Sequence, residues 1–417
     1  MRGINKAQTD DAYRLLQCLT VAVRPLHVEE LAELLAFDFQ ASCSEGIPSF
    51  KEDWRWDDQE EAVLSTCSSL ISIVRNGGSR VVQFSHFSVK EYLTSPRLAR
   101  SPHGDVSQFH IDLESAHTIM AQACLGTLLR SDKHAGDSGA DESPLLVYAA
   151  RHWLDHAQFA NVSPHIWDGI DDLFDSSKPH FAAWLQVYDM DEGWSSFSPE
   201  WPCGIGAPLY YAAICGVYDL ADRLVTKHPD QVNARGGLIL APLPAALYKG
   251  HFCLANLLHE HGADVDCRDK IKRTPLHSAS IVGRVDVMRW LLNHGADANA
   301  RNHFGSTPLH RAAANMQIEG VQVLLGHNAD INPQDNDGDT PLYLTICFTE
   351  RETQEILDIA RRLLEHGADP NICSSRRLRS VLLYASSCGW LKVSRLLQSY
   401  GAKVDVKVMD REGRTPQ

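Results

Sequence analysis

Apolar residues recur along most of this chain every three or four positions, the spacing of a helix with one buried face. The first such stretch covers residues 10 to 22, with Ala12, Leu15, Leu16 and Leu19 on one side. A second follows Pro25 with Val28, Leu31, Leu34 and Leu35, and a third runs from about Asp58 to Leu70. The period then drops to two: Ile71 to Arg75 and Arg80 to Phe84 flank Asn76-Gly77-Gly78, which predicts a β-hairpin. From about 108 to 200 the helical period returns without a clear repeat, in AHTIMAQACLGTLL, LLVYAARHWLDHA, IDDLF and HFAAWLQVY. The polar loop Ser131 to Ser143 separates the first two of these. The aromatics of this region, Trp153, Phe159, Trp167, Phe174, Phe181 and Trp184, are expected to be packing residues.

Beyond residue 205 the helical pattern is itself periodic. Thr-Pro-Leu-His at 274 to 277 returns at 307 to 310, and Thr-Pro-Leu-Tyr follows at 340 to 343, a step of 33 residues each time. Weaker copies are Ala-Pro-Leu-Tyr at 207, Ala-Pro-Leu-Pro at 241, Ser-Val-Leu-Leu at 380 and a final Thr415-Pro416. A second phrase keeps the same beat: Gly262-Ala263-Asp264, Gly295-Ala296-Asp297, Asn328-Ala329-Asp330, Gly367-Ala368-Asp369 and Gly401-Ala402. Thr274, Thr307 and Thr340 are placed to cap a first helix, and the following proline has no N–H to leave unpaired there. Ala312 and Ala313 allow close helix approach, while Val287, Trp290, Leu291 and Leu292 form a second apolar stripe. Gly262, Gly295 and Gly367, with Asn328 in the same place, end the second helix in a left-handed conformation. Phe304-Gly305 and Asp337-Gly338 mark the tips of projecting hairpins, whereas two other tips have Lys272 and Leu378 in place of the glycine.

These phrases resemble the ankyrin repeat over about residues 205 to 417, with six units starting near 207, 241, 274, 307, 340 and 380. The resemblance implies helix pairs stacked into a solenoid, since one unit cannot bury both of its faces. The fifth unit carries about seven extra residues around Glu350 to Ile356, expected as a loop or a helix extension. The chain stops three residues into a seventh unit without a polar capping repeat, so either the sixth unit's outer face is tolerated or the protein is part of a longer one.

Three helices followed by a two-stranded wing form a winged-helix domain, placed at residues 10–98. The phrases RPLHVEELAELLAF, LSTCSSLI and VVQFSHFSVKEYLTS resemble the winged-helix domain that follows the nucleotide-binding NACHT domain in fungal NACHT–ankyrin proteins, relatives of NOD-like receptors. The helical stretch at 108–200 resembles the segment joining winged helix to ankyrin array in the same proteins. In NOD-like receptors a histidine within a similar phrase contacts the phosphate of bound ADP and holds the receptor closed; the matching residues here are Phe84, His86, Ser88 and Glu91. A nucleotide also needs a P-loop, GxxxxGK followed by Ser or Thr, and the chain has no Gly-Lys dipeptide. His86 therefore meets a nucleotide only if another domain supplies the pocket; the alternative is a histidine that caps the wing.

Charge narrows the partners. Over 417 residues, 39 Lys+Arg stand against 53 Asp+Glu, a formal charge of -14, and residues 27 to 70 hold eleven acids against Lys51 and Arg55. A third helix opening with Asp57, Asp58, Glu60 and Glu61 argues against DNA in that face, so no nucleic acid is expected. The eleven cysteines are scattered and never spaced as CxxC, which reads as reduced, mostly buried thiols in a cytoplasmic or nuclear protein. The longest apolar stretch, Leu238 to Tyr248, is short and contains Pro242 and Pro244, so no membrane partner is expected either.

No catalytic constellation emerges. Gly136-Asp137-Ser138-Gly139 sits in a polar loop without a supporting strand framework, and the pair His152 and His156 at i and i+4 has Trp153 where a metalloprotease needs Glu. No cofactor or metal is expected. The expectation is a mainly α, non-enzymatic protein that binds a protein partner through the hairpin tips and inner helices of its array. The candidate contacts are Arg268, Lys270 and Lys272 on one tip, His303 and Phe304 on the next, Asp335 and Asp337 on the third, and Arg376 and Arg377 on the fourth. The rival expectation is the regulatory and sensor portion of a nucleotide-switched receptor.

Overall fold

The computed structural model describes residues 9–39, 47–55, 57–67, 69–76, 78–100, 107–130, 143–159, 162–188, 206–237, 239–347, 351–375 and 380–403. The chain divides into two compact units, Met1–Leu224 and Val225–Gln417.

The first unit opens as the apolar pattern predicts. Helices Thr9–Val21, Val28–Leu34 and Gln59–Cys67 bury Leu15, Leu16, Leu31, Leu34 and Val63, and strands β4 (Ile71–Asn76) and β5 (Ser79–Phe84) form the antiparallel wing. Two short features were not predicted. β1, Leu26–His27, adds a third strand in the order β1-β5-β4, with Leu26 opposite Val82. β2 (Phe37–Asp38) pairs with β3 (Ser49–Phe50) between the second and third helices. Two-residue strands carry no periodicity, so their signal was lost beside the helical pattern. Of the predicted wing turn, Gly77 lies outside the described residues.

The segment between wing and repeats is held by helices Leu113–Leu128 and Leu146–Ala157, which pack on each other, with Trp167–Leu173 and His180–Val187 beside them. Its aromatics pack as expected: Trp153 and Trp184 are fully buried with ring centroids 5.8 Å apart, and Phe174 lies 5.5 Å from Trp184. The Trp184 indole N–H donates to the Ala150 carbonyl at 3.0 Å, so its polar end is satisfied. Gly169 marks the tightest approach in this segment, since a β-carbon there would come within 2.1 Å of the Ile47 side chain, and one on Gly126 would come within 2.9 Å of the Phe37 ring. The predicted Ser131–Ser143 loop, with Gly136 to Gly139, lies almost wholly outside the described residues. Helix Pro208–Cys215, at the first expected repeat, falls within this unit.

The second unit is a stack of helix pairs. The inner row is Pro242–Lys249, Pro275–Val282, Pro308–Ala314, Pro341–Cys347 and Val381–Ser387; the outer row is Phe252–Glu260, Val285–Asn293, Ile318–Gly326, Gln354–Glu365 and Leu391–Ser399. From Pro275 onward each inner helix packs on the next, and each outer helix does likewise. Gly262, Gly295 and Gly367 have φ of 85°, 89° and 93°, and Asn328 reaches 59° in their place. Part of the insertion in the fifth unit is helix: Gln354–Glu365 runs 12 residues where Val285–Asn293 runs 9, and Thr353 caps it through Ile356 N–H at 3.4 Å.

The threonines cap as expected, and the histidines add to the caps. Thr340 caps as predicted, its hydroxyl accepting from Tyr343 N–H at 3.2 Å. At Thr274 and Thr307 the threonine and the histidine three residues on form a capping box, and the hydroxyl also meets that histidine's ring. His277 Nδ1 accepts from the backbone N–H of Thr274 at 3.2 Å and meets its hydroxyl at 2.9 Å; the same pair at His310 and Thr307 measures 3.0 and 2.9 Å. With Nδ1 accepting, Nε2 carries the hydrogen, and it donates to the carbonyl of Ser306 or Asp339 in the following unit, each at 2.9 Å. One side chain thus closes its own helix and ties two units together.

The cysteines are less buried than expected. Of nine described, Cys18, Cys67, Cys124 and Cys347 are buried, Cys215, Cys267 and Cys373 half-buried, and Cys253 and Cys388 exposed; all nine are free thiols. Among the described residues no helix is long and apolar enough to cross a membrane.

Candidate partner-binding surface

Three consecutive hairpin tips are each built around one polar residue at a fixed phase of the repeat. Asp269 Oδ1 accepts the N–H groups of Ile271 and Arg273 at 2.9 and 2.7 Å. Asn302 Oδ1 does so for Phe304 and Ser306 at 2.9 and 3.1 Å, and Asp335 Oδ1 for Asp337 and Asp339 at 3.0 and 2.9 Å. These side chains mimic a backbone turn and fix the loop. The left-handed residue that follows is Gly305 (φ 71°) in the second tip and Gly338 (φ 77°) in the third. In the first tip it is Lys272, which takes φ 59° although it has a β-carbon. Asp269 and Asn302 were not among the expected tip residues, although they stand 33 residues from each other and Asn302 33 from Asp335.

The three tips are joined into one ribbon. His303 N–H donates to the Ile271 carbonyl at 2.8 Å, and Asn336 N–H to the Phe304 carbonyl at 3.0 Å. Side chains add to this: Arg268 Nη1 reaches the Arg301 carbonyl at 3.1 Å, Arg301 Nη1 the Gln334 carbonyl at 2.8 Å, and Asn336 Nδ2 the His303 carbonyl at 3.0 Å. Crowding at the junctions explains the glycines, for a β-carbon on Gly305 would fall 2.5 Å from Asn336 Oδ1.

On this frame Arg268, Lys270, Lys272 and His303 are exposed, Asp335 and Asp337 are half-buried, and Phe304 is 51% exposed. Arg376 and Arg377, the candidates of the fourth tip, lie outside the described residues together with Leu378 and Arg379, as do Thr415 and Pro416 of the seventh unit. Burial raises the Asp335 carboxyl above the usual carboxylate range, opposed by the amide hydrogen bonds it accepts. Behind the tips, Arg311 on helix Pro308–Ala314 has a buried Nε without a hydrogen-bond partner. Burial and the Arg273 charge both depress its guanidinium, against the attraction of Asp335.

The other singled-out histidines lie in the first unit. His86 is exposed at the N-terminus of helix Phe87–Leu93, where its Nδ1 accepts from Ser88 N–H at 3.2 Å and from the Ser88 hydroxyl at 2.7 Å. It caps the helix after the wing rather than the wing itself. His152 pairs with Asp155 at 2.9 Å, while His156 is fully buried between Tyr148 Oη, 2.9 Å from Nε2, and His117 Nδ1, 3.0 Å from its own Nδ1. Among the described residues no group of three His, Cys, Asp or Glu could hold a metal ion.

The acidic stretch at 27 to 70 is less repulsive than its count suggests. Glu29 and Glu60 both pair with Arg80, Glu30 with Arg24, Glu33 with Arg55, and Glu52 with Arg55 and Arg130. Cations beyond the stretch neutralise part of it, which narrows the electrostatic ground against DNA.

Comparison with known proteins agrees with this architecture. Residues 243–335 and 298–374 match the family described as ankyrin repeats (3 copies), and residues 3–111 match the winged helix domain of GPI inositol-deacylase. The chain therefore carries ankyrin repeats behind an N-terminal winged helix of that type. A curated protein, azaphilone pigments biosynthesis cluster protein L of Monascus ruber, is 28% identical over 274 residues, covering 61% of this chain and 56% of that protein. The chain thus spans about half the length of that relative. Among solved structures, an ankyrin repeat domain from Acinetobacter baumannii AYE is 29% identical with a TM-score of 0.43, over 47% of this chain and 98% of that one.

Proposed function

We propose that this protein is a non-enzymatic interaction module of the cytoplasm or nucleus, which holds a partner protein on the hairpin tips and inner helices of an ankyrin array. The array is taken as residues 205–417, joined by a helical linker at 108–200 to a winged-helix domain at 10–98. The observation that carries this reading is Phe304: its carbonyl is fixed by Asn336 while half of its surface faces solvent on a rigid ribbon. A photo-cross-linking residue at position 304 is expected to capture a discrete protein, and one at the exposed outer-helix position Arg289 is not. Equal capture from both positions would remove the tips from the interface. The relative's name associates that protein with pigment biosynthesis, which makes the proteins of such a pathway the first partners to test.

A second reading is supported by the first unit. Of the phrase that resembles the nucleotide-sensing segment of NOD-like receptors, His86, Ser88 and Glu91 are exposed at and along helix Phe87–Leu93, beside Phe87 at 72% and Tyr92 at 44% exposure, while Phe84 is half-buried at the end of β5. On this reading the chain is the regulatory portion of a nucleotide-switched receptor, and a nucleotide domain expressed in trans binds it in an ADP-dependent way that His86→Ala removes. ADP-independent association would count against it.

A further inference from the structure

The charges on the tip ribbon are ordered along the stack. The first tip carries Arg268, Lys270, Lys272 and Arg273 with Asp269, and Asp269 is already paired with Arg273 at 2.7 Å. The second carries no acid between Ala300 and Ser306, and its outward groups are Arg301, His303 and Phe304. The third carries Asp335, Asp337 and Asp339 and no cation. Because backbone hydrogen bonds lock the tips edge to edge, the order basic, aromatic, acidic is a fixed property of one surface rather than of three independent loops.

One further observation points the same way. Lys272 keeps a left-handed backbone where the next two tips use glycine, so a cation is retained at a position where it is conformationally disfavoured.

We infer that this ribbon takes an extended protein segment with segregated charge: an acidic end over Arg268, Lys270 and Lys272, an apolar side chain against Phe304, and a basic end over Asp335 and Asp337. This rests on the interaction reading above and adds the chemistry and direction of the partner. Complementary charge sets register and direction in such a contact more than it sets affinity.

The test uses the full chain and two fluorescein-labelled peptides of one composition, acidic, apolar and basic. One has its charges segregated about the apolar centre; in the other they are interleaved. By fluorescence anisotropy the segregated peptide is expected to bind about tenfold tighter. The double variant Lys270→Glu with Lys272→Glu loses that margin, and adding Asp337→Lys restores it, since the reversed surface accepts the peptide in the opposite direction. Unchanged thermal unfolding of each variant shows that the fold is intact, with Asp337→Asn as the milder substitute should Asp337→Lys unfold. Equal binding of the two peptides, or no recovery in a folded triple variant, overturns the inference. So does a single-stranded oligonucleotide that binds the basic tip equally well with or without Asp337→Lys. If the peptide preference is absent but the cross-link from position 304 persists, the interaction reading stands and only the charge order falls. Loss of both removes the reading itself.

Discussion

Asp266 shows how a single atom sets the strength of a repeat junction. At the same phase Asn233, Asn332 and Asn371 do two things: Oδ1 accepts the N–H of Asp264, Asp369 or Lys403, and Nδ2 donates to the carbonyl of Gly262, Gly367 or Gly401. Asp266 retains only the first bond, to Asp297 N–H at 3.0 Å, and its buried Oδ1 has no partner. Burial raises its carboxyl above the usual range, with Asp297 and Asp264 adding to the rise. A carboxyl raised on folding stabilises when protonated, so its contribution is lost as pH rises through the folded value. Asp266→Asn should therefore raise stability at neutral pH by about 1 kcal/mol, and the gain should shrink in acid. Chemical denaturation of both proteins at two pH values measures this; a loss of stability at neutral pH would contradict it. Lys272→Gly is the complementary case. It should leave the unfolding midpoint unchanged or higher, because it relieves a left-handed β-carbon, while it weakens capture of an acidic partner.

At the scale of the element, the repeated Thr-Pro-Leu-His turn couples helix start to unit stacking. His277 and His310 are neutral in the fold, pushed down to about 4 chiefly by burial, each opposed by the hydrogen bond to the next unit's carbonyl. In the unfolded chain they titrate near 6.5. A base lowered on folding costs stability wherever only the unfolded chain takes the proton. Stability is thus full above about pH 6.5 and falls by about 1.4 kcal/mol per pH unit for each histidine down to about pH 4. His310→Ala should cost about 2–3 kcal/mol at neutral pH, by losing the bonds to Thr307 and Asp339, and should flatten the acid slope. A variant with an unchanged slope would show that His310 is not the group that titrates. Much of this was legible beforehand, since the 33-residue beat located helices, prolines and left-handed glycines. The partner of the histidine was not, because its acceptor lies 29 residues away and becomes a neighbour only once the units stack. The ion pairs of the winged helix were hidden for the same reason: Arg80 meets Glu29 across 51 positions, and a local charge count has no access to that.

For the whole molecule, the two units answer to different tests. The first holds buried Tyr148 and His156 hydrogen-bonded to each other and to half-buried His117, and burial drives His156 down to about 3, with His117 and His152 adding to the fall. Its stability should decline in acid, and His156→Phe should weaken that dependence, with half-buried His117, also lowered by burial, left to supply the remainder. The second unit presents the ribbon, and the central claim is that a partner lies on it. Hydrogen–deuterium exchange on the full chain, with and without the protein recovered through position 304, tests that claim most directly. The account predicts slowed exchange in 266–273, 299–306 and 332–339, with the outer helices Val285–Asn293 and Ile318–Gly326 unchanged. Protection confined to those outer helices, or to the winged helix, would contradict it.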